Sequence, residues 1–97
     1  MHILVARFEL HIPTAQSLKA KRSVVSSLVR LIDQMHGVGC AEVDHQHLWQ
    51  RTALGVTAVS GSVNQVENLM DSAERLVWSR PGVEVLDIHR SWWEDDN

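Results

Sequence analysis

Residues 38–59, VGCAEVDHQHLWQRTALGVTAV, decide the fold. Two short apolar segments, 38–43 and 52–59, stand on either side of a polar connection, 44–51, that leaves no room for a helix between them. The first segment has β-branched ends, and the second carries Gly55 inside it, a sign of a close packing approach or a bulge. Both read as strands. The connection is unusual, because Asp44, His45, Gln46, His47, Trp49, Gln50 and Arg51 occupy a place where a short turn would have been enough.

Helical patterns flank this pair of strands. Upstream, Val24, Val25, Leu28, Leu31, Ile32 and Met35 recur at three- and four-residue spacing, one stripe of a helix over roughly 18–36. Ser17 is placed to cap its start, and Gly37 to close its end. Downstream, Ser62 with Gln65 fits a capping box, and Val66, Leu69, Met70, Ala73, Leu76 and Val77 form a second stripe that ends at Arg80-Pro81-Gly82. Before the first helix, Leu4, Ala6, Phe8, Leu10 and Ile12 alternate with Arg7, Glu9 and His11, the period-two pattern of a half-buried strand that Pro13 ends. After the second helix, 83–89 makes a last strand whose alternation is irregular, followed by a tail, 92–97, that reads as loose and begins with Trp92 and Trp93.

The order strand, helix, strand, strand, helix, strand folds through two right-handed crossovers into an α+β, ferredoxin-like βαββαβ arrangement: a four-stranded antiparallel sheet with both helices on one face. Strands one and three are then central. The other sheet face is left bare, with Ile3, Val5, Arg7, Glu9 and His11 pointing into it, and self-association through it into a homodimer or higher oligomer is the expected remedy.

Composition agrees. The 97 residues make a single domain, 1–97, with one core. The 44% apolar and 22% charged fractions exclude a disordered or collagen-like chain. Cys40 stands alone, so no internal disulfide forms and a cytoplasmic location is expected. The apolar run at 2–12 is broken by Arg7 and Glu9 and has neither a basic leader nor spanning length, so no membrane association is expected. The net charge of −3 argues against a dedicated nucleic-acid binder, and no DNA is expected as a partner, yet residues 1–51 carry six Lys/Arg against four acids while 52–97 carry three against eight. One region is therefore cationic.

HIPTAQSLKAKRSVVSSL (11–28) followed by AEVDHQHLWQRTALGV (41–56) resembles the YlxP-like family of small bacterial proteins. The similarity covers nearly the whole chain, and its two motifs are SLKAKR at 17–22 and EVDHQHLWQR at 42–51. It implies the same ferredoxin-like fold. The family's genes often lie beside those for transcription and ribosome-maturation factors, which implies a role near RNA or the ribosome.

Chemistry can be sought at four places. Lys19, Lys21 and Arg22 oppose the dipole of the first helix, so local stability does not explain them. With the free N–H groups of the helix start they form an anion site, joined by Gln50 and Arg51 if these approach, or else they are a solvated face or pair with Glu42, Asp44 or the acidic tail. Trp49, among Gln46, Gln50 and Arg51, is a stacking platform or interface anchor, or else a lid on the core end. His45 and His47, if the chain stays extended, fall on one face about 7 Å apart, but they lack a clear third ligand, so no metal is expected and a hairpin-capping role competes. Cys40, in an apolar strand, reads as a small hydrophobe rather than a nucleophile.

No paired carboxylates, phosphate-cradling glycine loop or nucleophile elbow appears, so neither catalysis nor a cofactor is expected. The reading is a non-enzymatic binding domain that meets structured RNA or the ribosome through phosphate contacts from Lys19, Lys21, Arg22, His45, Gln46, Trp49, Gln50 and Arg51. The alternative is an oligomeric small-molecule sensor or regulatory protein-interaction module. Against RNA stacking on the sheet, the first strand offers no aromatic on the bare face.

Overall fold

The structure, a computed structural model, describes residues 1–93. Its elements are β1 (His2–His11), α1 (Leu18–Asp33), β2 (Val38–Asp44), β3 (Arg51–Ser60), α2 (Val63–Trp78) and β4 (Glu84–Trp93). The sheet order is β2-β3-β1-β4, every neighbouring pair antiparallel, with β1 and β3 central. This is the ferredoxin-like βαββαβ fold.

Alternation places the core. Leu4, Ala6, Phe8 and Leu10 of β1 and Leu54, Val56 and Ala58 of β3 are buried toward the helices. Val25, Leu28 and Ile32 of α1 and Val66, Met70, Ala73 and Val77 of α2 close over them. Phe8, fully buried at the centre of β1, anchors this layer, and truncating such a side chain to alanine costs about 3–5 kcal/mol.

The helix ends follow their residues. Ser17 Oγ accepts from the Ala20 N–H at 3.0 Å. Ser62 Oγ accepts from the Gln65 N–H, but the Gln65 side chain accepts from Ser60 Oγ instead of reaching back to the Ser62 N–H, which donates to Ser60 Oγ. The capping box is thus completed through a third residue. α1 ends at Asp33 with Gln34 as its cap, earlier than the spacing predicts. Gly37, in the left-handed region at φ 86°, instead turns the chain into β2, and its carbonyl accepts from the Val59 N–H.

Two expectations about the chain's last part need correction. β4 does not stop at residue 89: Trp92 and Trp93 are paired with Leu4 and Ile3, so they belong to the sheet and not to a loose tail. The irregular alternation of 83–89 reflects a register shift opposite Glu9 and Leu10, which puts Leu86 into a bulge. The remaining tail, 94–97, lies outside the described residues. Gly55 marks a close approach: a Cβ there would lie 2.9 Å from Cγ1 of Val43, which covers it from β2.

Among the described residues no helix is long and apolar enough to cross a membrane.

Candidate functional site

The connection between β2 and β3 is built from both faces of the sheet. Glu42 lies on the helix-covered face, opposite Leu54. Lys21 occupies the turn of α1 before Val25, on the same buried stripe, and is 0% exposed. Its Nζ donates to Glu42 Oε2 at 2.9 Å and to the His45 carbonyl at 2.6 Å. Thr52 Oγ1 donates to the same carboxylate oxygen at 2.6 Å. Every charge in this pocket is matched, as a buried ion must be to persist.

This corrects the anion-site expectation for Lys21. A cation with two short bonds beneath a helix and no contact with water cannot meet a phosphate. Its place was readable in its spacing, since 21, 25, 28 and 32 form one buried stripe. Lys19 and Arg22, two residues before and one residue after Lys21, are exposed.

On the opposite sheet face a second polar network covers the end of β1 nearest the connection. Arg7 Nε donates to Glu9 Oε1 at 2.7 Å, and its Nη2 to Asp44 Oδ2 at 2.9 Å. Arg51 Nη2 donates to Glu9 Oε2 at 3.0 Å, and His45 Nε2 lies 3.1 Å from that oxygen. Burial acts to raise the Glu9 carboxyl, but the hydrogen bonds from Arg7, Arg51 and His45 outweigh it and hold Glu9 below the usual carboxylate range. The Arg7 bond, followed by the His45 backbone N–H, holds Asp44 below its usual range too. Asp44, in return, is the largest cause of the upward shift of Arg7. The sheet face is therefore not bare at this end, and Arg51 belongs to its ionic network rather than to a cluster with the start of α1.

His45 joins the two networks. β2 ends at Asp44, and His45 turns into the left-handed region at φ 63°, where histidine is among the more tolerated side chains. Its ring stays with Glu9 on one face while its carbonyl reaches Lys21 and the Leu48 N–H on the other. The turn also removes the extended geometry that would have aligned His45 with His47.

Gln50 fixes the far end of the connection. Its side-chain amide donates to the carbonyls of Pro13 and Ala15, both at 3.1 Å, and its own carbonyl accepts from the Ile12 N–H. It therefore approaches the start of α1 as expected, but to bind backbone. Cys40 is equally occupied with structure. Burial, helped by Asp33, pushes its thiol up to about 12, so it carries no thiolate near neutrality.

Between His45 and Gln50 the tip is left over. Gln46, His47, Leu48 and Trp49 are all exposed, Leu48 at 49% and Trp49 at 54%, and among the described residues no hydrogen bond reaches their side chains. Trp49 is thus not a lid on the core. The candidate surface that survives from the sequence is Gln46 and Trp49, extended by His47 and Leu48, with exposed Lys19 and Arg22 on the adjoining helix start. Lys21, His45, Gln50 and Arg51 hold it in place.

Fold and site together define a small ferredoxin-like domain that presents a braced polar loop with an apolar tip. The chain belongs to the family described as Protein of unknown function (DUF503), whose pattern matches residues 3–90. It is 32% identical over 88 residues to the uncharacterized protein YlxP of Bacillus subtilis, covering 91% of this chain and 96% of that one.

Among solved structures, a de novo designed protein with ferredoxin fold aligns over 100% of this chain and 89% of its own, at 11% identity and a TM-score of 0.49. A hydantoinase/carbamoylase family amidase from Burkholderia ambifaria aligns over 94% of this chain but 28% of its own, at 14% identity and a TM-score of 0.50. That second likeness concerns the fold alone.

Proposed function

We propose that the chain is a non-enzymatic docking domain whose contact point is the tip 46–49 together with Lys19 and Arg22. One observation carries this reading: the side chains of Asp44, His45, Gln50 and Arg51, on either side of the tip, are bonded to other parts of the chain, while an adjacent leucine and tryptophan at its apex are left half exposed. Holding Leu48 and Trp49 on a loop pinned at His45 and Gln50 lowers the entropy cost of ordering them on a partner. The expected partner is structured RNA or the ribosome, with Trp49 stacking on an unpaired base and the two cations meeting phosphates.

The buried state of Lys21 limits the electrostatic part of that binding. Two phosphate contacts give a slope of log affinity against log salt of only about −2. Titration of purified bacterial ribosomal subunits with the labelled chain, at several salt concentrations, tests this. Binding that weakens with that slope, falls in Lys19→Glu and Arg22→Glu, and is lost in Trp49→Ala is the expected result. No binding, or binding indifferent to all three substitutions, rejects it.

The adjacent Leu48 and Trp49 favour a second reading, a regulatory protein-interaction module, because such apolar anchors fill pockets on protein partners. Binding to a protein that is insensitive to salt and to Lys19→Glu, yet lost in Trp49→Ala, would select it.

A further inference from the structure

The sheet has two edges, and they are treated differently. β2 is seven residues long, its ladder shifts between Glu42 and Asp44, and the Cys40 N–H donates to the Asp33 carboxylate at 3.3 Å. A strand offered to that edge meets an occupied donor and a bent ladder, the devices by which natural sheets prevent pairing. β4 is ten residues long, and its one irregularity, at Leu86, leaves residues 87–93 regular. Among the described residues no hydrogen bond reaches its outer backbone groups.

Apolar side chains accompany this open edge. Trp78, at the end of α2, is 63% exposed, and Leu86 is 50% exposed. With Val85 and Ile88 they line a groove of about 430 Å³ on the helix side of β4, bounded by Glu74 and Arg90. Trp92 projects from the same side of the same strand, beside Leu4, and is 43% exposed. Each copy thus carries both a groove and an indole to fill it.

We infer that β4 pairs antiparallel with β4 of a second copy, making one continuous eight-stranded sheet. A two-fold axis normal to the sheet keeps each face continuous, so even positions oppose even positions and odd oppose odd. With the axis anywhere from Ile88 to Arg90, Trp92 of one copy falls opposite or diagonal to Leu86 of the other, twice per dimer, within reach of an aromatic side chain.

The exposed parts of Trp78, Leu86 and Trp92 amount to roughly 300 Å² of apolar surface, taking up to ~250 Å² for a whole indole. The strand edge itself adds to this, toward the ~800 Å² per partner of a standard interface. Arg90 poses no obstacle, since it is neutralised within its own chain by Asp71 and Glu74, both at 2.8 Å. β2 and β4 are opposite edges, so the pairing leaves the loop tip free and does not depend on what the tip binds.

Sedimentation velocity of the full chain across micromolar to millimolar concentration tests the pairing. The expected result is a dimer that weakens by ~100-fold in Leu86→Lys, as for loss of a central anchor, while Val59→Lys on the opposite face leaves it intact. Trp78→Glu, on an exposed helix position, carries the same test should Leu86→Lys disturb folding. A wild-type monomer at millimolar concentration, or a dimer that survives both Leu86→Lys and Trp78→Glu, overturns the assignment. Loss of the dimer in Val59→Lys overturns it as well, by moving the interface to the other face.

Discussion

Lys21 Nζ donates to the carbonyl of His45 across 2.6 Å, tying the first turns of α1 to the residue that follows the end of β2. The same ammonium pairs with Glu42, so one buried cation holds a helix, a strand and a loop together. Removing it leaves a carboxylate with little access to water and a single neutral partner, Thr52. Lys21→Met is expected to cost about 3 kcal/mol, the range for breaking a buried pair from one side. In a chain of this size that lowers Tm by roughly 15 °C. Thermal melts of Lys21→Met, Glu42→Gln and the double variant check this: the double variant is expected to recover part of the loss, and strict additivity would show that the two groups are not coupled.

His45 holds its φ of 63° at a cost that its ring and carbonyl bonds offset. His45→Ala keeps the strain and loses the bond to Glu9, whereas His45→Gly loses the bond but relieves the strain. The glycine variant is therefore expected to be more stable than the alanine variant by about 1 kcal/mol in urea unfolding. The reverse order would place the chain's preference elsewhere.

Trp49→Ala removes an exposed side chain with no hydrogen-bonded neighbour. Its stability is expected to stay within about 0.5 kcal/mol of wild type, while partner binding is lost. A fall of several degrees in Tm, with binding unchanged, would make Trp49 a packing residue.

Acid tests the sheet-face network. Glu9 and Asp44 both titrate below their usual ranges in the folded chain, so the stability they contribute is complete above the unfolded-state carboxylate values and is lost as pH falls through the lower, folded ones. Stability is expected to decline from about pH 4.5 downward. Glu9→Gln should be less stable at pH 7 and should show a shallower decline in acid. An unchanged acid profile would remove Glu9 from the account.

The fold was legible because its signals are periodic. Alternation in β1, the two helical stripes and the helix-free interval between β2 and β3 leave few other topologies. The last strand was harder to bound, because a bulge at Leu86 breaks the alternation on which its reading depends, and Trp92 and Trp93 continue beyond the break. The site was legible in location but not in role. Lys19, Lys21 and Arg22 look alike as a cluster, and only the phase of α1 separates the buried one from its neighbours. Glu9 was not singled out as a site residue, although it gathers Arg7, Arg51 and His45, because only Arg7 is its neighbour in the chain, while His45 and Arg51 come to it from far along the sequence. Its signal was a carboxylate at an outward position of β1, directly across the sheet from Ala53 and next to Arg51.

The central claim is that the tip 46–49 is the surface this chain presents to its partner. A photoreactive residue placed at position 49 in the full chain, compared in living cells with one at the exposed position 75 of α2, measures this most directly. A discrete crosslinked RNA or protein product at 49 and none at 75 is predicted. Equal crosslinking at both positions, or product at 75 alone, would contradict it.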